Sequence, residues 1–120
     1  MVKVNLNTKK IERAAIEAFR DAAFLQGRVF TEVISEVGAF PAHPDRDLVD
    51  TGQLRSSQQL EFVRDTEARF VWPTDYAIYQ HEGFTMRNGQ RWEGRPWTTE
   101  GLKRFDLQGT IARLMALKLK

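Results

Sequence analysis

The chain of 120 residues contains no cysteine. That removes disulfides, thiolate metal sites and cysteine nucleophiles, and it fits a reducing compartment. Histidine is almost missing: His43 and His81 are the only two, and no His-x-x-x-His spacing suggests a zinc site. Long apolar runs are lacking too. No stretch approaches the roughly 20 residues of a membrane span, so no membrane partner is expected. Lys9 and Lys10 precede an interrupted, charged segment, not the apolar stretch of a signal peptide. The glycines Gly83, Gly89 and Gly94 are too dispersed to form a phosphate-cradling loop. No cofactor is expected.

What is present suits one domain over residues 1–120. A 42% share of hydrophobic residues is enough for a real core, and 28% charged residues argue for a soluble chain. The net charge of +2 is too small to imply nucleic-acid binding. From Phe84 onward eight lysines and arginines face only Glu93, Glu100 and Asp106. That basic excess reads as a solvated loop and helix face, with contact to phosphates or an acidic surface as the other reading.

The periodicity predicts a long helix from Thr8, as cap, to Val37. Ile11, Ala15, Ala18, Ala22, Leu25, Val29 and Val33 recur at steps of three and four. Such a helix would be about 45 Å long, given the 1.5 Å rise per residue. Gly27 is an internal weak point, and Gly38 with Pro41 supplies the stop. Residues 39–50 read as a loop. Two strands follow, Gln58–Arg64 and Ala68–Pro73, joined through Asp65-Thr66-Glu67. The segment from Gly83 to Gly94 reads as an exposed hairpin turning at Asn88-Gly89. A closing helix is capped by Thr98, with Trp97 stapled to Leu102. Its apolar side is Leu102, Phe105, Ile111, Leu114, Met115 and Leu117, and Gly101 and Gly109 weaken it. The expected fold is α+β: long N-terminal and C-terminal helices packed on a small antiparallel sheet, with an extended β-hairpin.

Three sites invite chemistry. The run Val49-Asp50-Thr51-Gly52 matches the catalytic loop of an aspartic protease, which shares one proton between two carboxylates across a dimer. The helical ends of this chain oppose that reading. So does Gln53 after the glycine, where a small residue is usual, and no later strand ends in two apolar residues and a glycine. Asp50 reads better as the N-cap of a short helical turn over Gly52–Ser57, with Gln53 completing a capping box. Such a cap contributes roughly 1 kcal/mol. The adjacent pair His81-Glu82 is the second site. On a strand the two side chains point to opposite faces and do not act together, so both histidines read as ordinary surface residues. The third site is the aromatic series Phe70, Trp72, Tyr76 and Tyr79, which reads as core and interface because it alternates at strand spacing.

Three segments in order carry a family pattern: Asp50-Thr51-Gly52-Gln53-Leu54-Arg55-Ser56-Ser57, then Tyr76-Ala77-Ile78-Tyr79-Gln80-His81-Glu82-Gly83, then Arg95-Pro96-Trp97 before a closing helix. This series resembles the neck or tail-completion proteins of long-tailed bacteriophages, also described as head–tail joining proteins, tail terminators or minor tail components. Two departures stand out: a longer Arg/Trp-containing hairpin after Gly83, and Trp97 where phenylalanine or another apolar residue is usual. The resemblance implies a virion protein without catalytic residues, not an enzyme. It would be assembled in the host cytoplasm into a ring, a hexamer, at the head–tail junction. Its partners would be connector and tail tube proteins, with passing contact to genomic DNA. Asp50, Thr51, Gly52, Leu54 and Arg55 would organise the start of the sheet. Tyr76, Tyr79 and Glu82 would lie near a subunit contact. The hairpin residues Phe84, Arg87, Arg91 and Trp92, with the turn Arg95-Pro96-Trp97, would reach a neighbour. Two alternatives are a nucleic-acid-binding module using Arg87, Arg91 and Arg95 with Trp92, and a dimeric aspartic protease using Asp50.

Overall fold

A computed structural model describes residues 8–36, 53–74 and 77–120. In chain order the elements are α1 (Thr8–Ser35), α2 (Gln53–Ser57), β1 (Gln59–Arg64), β2 (Glu67–Val71), α3 (Ala77–Glu82), β3 (Gly83–Thr85), β4 (Arg91–Glu93), α4 (Trp97–Arg104) and α5 (Leu107–Lys118). Long N-terminal and C-terminal helices pack with small antiparallel hairpins, so the α+β class expected from the sequence holds.

The helix α1 has 28 residues, about 42 Å at the usual rise. Its buried residues include Ala14, Ala18, Ala22, Ala23, Gly27 and Phe30. Small side chains on this face let α4 and α5 approach closely. The expected stripe is therefore displaced: Ile11 is exposed, and Ala15, Leu25 and Val29 are only half-buried. The cause is that α1 is covered on two sides. On the second side the β1–β2 ribbon rests on it through rings, Phe62 against Phe24 and Phe70 against Phe30, edge to face at 5.6 and 5.0 Å. Gly27 belongs to this contact. A Cβ there would stand 3.0 Å from Phe70 Cε1, and its carbonyl accepts from Gln58 Nε2 at 2.9 Å. The helix ends at Ser35, earlier than expected, and Ser35 Oγ bonds back to the Thr31 carbonyl. Thr8 is itself helical rather than a cap. Gly38, Pro41 and the Asp50 cap lie outside the described residues.

β1 and β2 pair antiparallel with Leu60 opposite Phe70 and Phe62 opposite Ala68. These alternate residues form the half-buried face, as period two requires. β3 and β4 form a separate short ribbon with Phe84 opposite Trp92. Its turn is the expected Asn88-Gly89, with Gly89 at φ 85° and its N–H donating to the Met86 carbonyl at 3.0 Å.

The C-terminal helix is broken in two. Phe105 is extended, and Asp106 caps α5 by accepting the Gly109 N–H at 3.0 Å. The cap expected at Thr98 is not formed: Pro96 occupies that position of α4 and no side chain caps it. The Trp97–Leu102 staple also fails, because Trp97 is buried (2% exposed) while Leu102 is 54% exposed. Gly101 is not a weakness. A Cβ there would overlap the Phe30 ring, and Gln26 Nε2 donates to its carbonyl at 3.1 Å. The central core is Val33, Ile34, Leu54, Ala77 and Trp97, with Val29 and Trp72 against it. Among the described residues no helix is long and apolar enough to cross a membrane.

Candidate functional site

The segment before the second hairpin is helical, not extended. The Ala77 N–H donates to the Thr74 carbonyl as α3 starts. Ala77 and His81, four apart, turn to one side, and Ala77 enters the core. Ile78 and Tyr79 are 64% and 54% exposed, and Ile78 also borders the pocket beside His81. The chain then reverses through Gly83, at φ 79°, directly into β3. A side chain at Gly83 would run into the Trp92 carbonyl.

Around this corner the expected interface residues separate into two groups. Tyr79 packs edge to face on Phe84 at 6.0 Å, and Phe84 stacks on Trp92 at 6.3 Å. Arg87 is exposed at the hairpin tip. Arg91 Nη2 donates to the Glu82 carbonyl at 2.7 Å, tying the hairpin to the end of α3. Arg95 and Trp97 instead lie inside the chain. Arg95 is 3% exposed, its guanidinium bonded to the Gln80 side chain and its N–H donating to the Gln80 carbonyl at 2.7 Å. Pro96 opens α4. The accessible part of this surface is therefore Ile78, Tyr79, Phe84 and the basic tip. Of the three arginines in the nucleic-acid reading, Arg95 is interior and Arg91 is engaged with α3. Tyr76, like Asp50, Thr51 and Gly52, lies outside the described residues. Leu54 is fully buried in the core, and exposed Arg55 donates to Ser35 Oγ at 3.1 Å.

The sequence reading missed His81. The helix turns its ring inward, so that Nδ1 meets Glu82 Oε1 at 2.6 Å and Nε2 meets Thr98 Oγ1 at 2.6 Å. The two residues read as pointing apart are in contact because this segment is helix rather than strand. The signal available in the sequence was the Ala77-x-x-x-His81 spacing, one helical turn. The imidazole stands edge-on to Trp97 at 4.8 Å, and Trp97 stands edge-on to Trp72 at 5.6 Å. Beside it is an open pocket of about 260 Å³ lined by Trp72, Ala77, Ile78, His81, Glu82, Trp97 and Thr98. Among the described residues no group of three or more His, Cys, Asp or Glu is placed to hold a metal ion.

Two exposed charge clusters fasten the helices. Arg104 bonds to Glu36 and, at 3.0 Å, to Glu100. The hydrogen bond from Arg104 holds the Glu36 carboxyl below its usual range, against an opposing effect of burial. Lys118 bonds to Asp21 at 3.1 Å and lies 3.7 Å from Glu17. The hydrogen bond to Asp21 raises its ammonium above the ordinary lysine value. No family model, curated protein or solved structure matches the chain.

Proposed function

We propose that the chain is a structural subunit of a ring at the head–tail junction of a long-tailed bacteriophage, a tail-completion or neck component. The observation that carries the reading is the outward face of α3. Ile78 and Tyr79 are both more than half exposed, and Tyr79 continues through Phe84 onto the second hairpin. A contiguous apolar surface beside a charged tip is the mark of a protein–protein contact. The resemblance carried by the ordered motif series is the reason for choosing this assembly. A repeated head-to-tail contact between one such face and a different face of the next copy closes into a ring when the rotation allows. In this reading the protein's work in the assembly is complementary surface.

Light scattering across a concentration series tests it. The native chain should assemble, alone or with connector and tail tube proteins. Tyr79→Ser combined with Ile78→Ser should leave a folded monomer with an unchanged far-ultraviolet circular dichroism spectrum. A native chain that stays monomeric at high concentration with those partners present would sink the proposal.

A further inference from the structure

We propose that Thr98, His81 and Glu82 form a nucleophilic relay, and that the adjoining pocket takes the acyl group of a small carboxylic ester. The polarity of the contacts is the first reason. Glu82 Oε1 lies 2.6 Å from His81 Nδ1, and His81 Nε2 lies 2.6 Å from Thr98 Oγ1. A carboxylate on Nδ1 selects the tautomer with the proton there, which leaves the Nε2 lone pair facing the hydroxyl. Fastening α3 to α4 would need only the His81–Thr98 bond. Glu82 adds nothing to that fastening, since its side chain is 67% exposed and meets the imidazole of its own helix.

The second reason is the position of Thr98. It lies in the first turn of α4, and no side chain caps that helix. The first-turn amides of Thr98 and Thr99 have no helical carbonyl four residues back. They leave backbone donors and the positive end of the helix dipole in the same turn as the Thr98 hydroxyl, which favours negative charge developing there. The third reason is the pocket. About 260 Å³ walled by Trp72, Ala77, Ile78 and Trp97 suits a short acyl chain.

The reaction balances with water as the only co-reactant. Thr98 Oγ forms a bond to the ester carbonyl carbon while its proton passes to His81 Nε2. The tetrahedral intermediate collapses, the ester C–O bond breaks, and the imidazolium returns that proton to the departing alcohol. Water then attacks the acyl-threonine, His81 takes its proton, and the proton goes to Thr98 Oγ as the acid leaves. Glu82 is a positioning residue throughout.

The test uses the full chain with p-nitrophenyl acetate and p-nitrophenyl butyrate, reading p-nitrophenolate release together with mass-spectrometric mapping of the acetyl group. The native chain should exceed the buffer rate and carry the label on Thr98. Thr98→Val and His81→Gln should lose about 10²-fold or more, the usual range for a general base. Thr98→Ser should retain activity, and Glu82→Gln should lower kcat and displace the pH profile. Release no faster than buffer, acetyl found only on lysines, or folded Thr98→Val and His81→Gln proteins as fast as the native chain would each overturn the proposal. Should Thr98→Val fail to fold, the mapped label and the Thr98→Ser rate decide it. None of these readings depends on assembly, so failure here leaves the ring proposal standing.

Discussion

Gly101 is where two opposing residue-scale effects can be weighed. Alanine in place of glycine within a helix is worth up to about 1 kcal/mol. Here the added carbon would meet Phe30 Cε1 at 2.7 Å, with Cδ1 nearer still. Overpacking of that kind costs about 1–3 kcal/mol. Gly101→Ala is therefore expected to destabilise by roughly 1–2 kcal/mol in urea unfolding, and a gain in stability would show that α1 and α4 can separate freely. Local propensity marks Gly101 as a weak point because propensity cannot register a ring arriving from the far end of the chain. His81 was hidden for a related reason: its meaning depends on whether the segment is helix or strand. Leu54, by contrast, was singled out in the sequence as part of the ordered motif series, and it is fully buried.

At the scale of elements, the break between α4 and α5 is set by Asp106. Replacing it with alanine removes the acceptor for the Gly109 N–H and should cost about 1 kcal/mol, whereas Asp106→Asn should cost little. Hydrogen exchange should show faster opening of the first turn of α5 in Asp106→Ala; unchanged protection would mean that packing on α1 alone fixes the start of the helix. The apolar positions Leu102 to Leu117 run across this break with helical spacing, so periodicity alone reads one helix. The second hairpin was more legible, because Asn-Gly specifies its turn within two residues. Both ribbons and α1 followed from such short-range patterns, while the face that α1 buries depended on neighbours arriving from both sides.

For the whole molecule, the packing of α4 and α5 on α1 depends in part on exposed charge. Glu36 has a lowered carboxyl value because Arg104 donates to it. Its contribution to stability is complete above the ordinary glutamate range and is lost as pH falls through the lowered value. Lys118 has the opposite sign: raised by Asp21 and Glu17, it contributes below the ordinary lysine value and is lost as pH rises through the higher one. Both operate at neutral pH. Thermal melts should therefore fall below about pH 4, and Arg104→Gln should flatten that decline, with an effect under about 1 kcal/mol because the pair is exposed. Parallel acid profiles for the two proteins would assign the decline to other carboxylates. The expected fold class was readable at this scale, since the order of helices and hairpins fixes which layers can form. A different consequence follows from Trp72, Trp97 and His81 standing edge to face. Two indoles held at a fixed angle couple their electronic transitions, and a protonated imidazole quenches indole emission. The chain thus carries its own chromophore at the base of α3, so that near-ultraviolet dichroism and fluorescence report any movement of that helix without an attached dye.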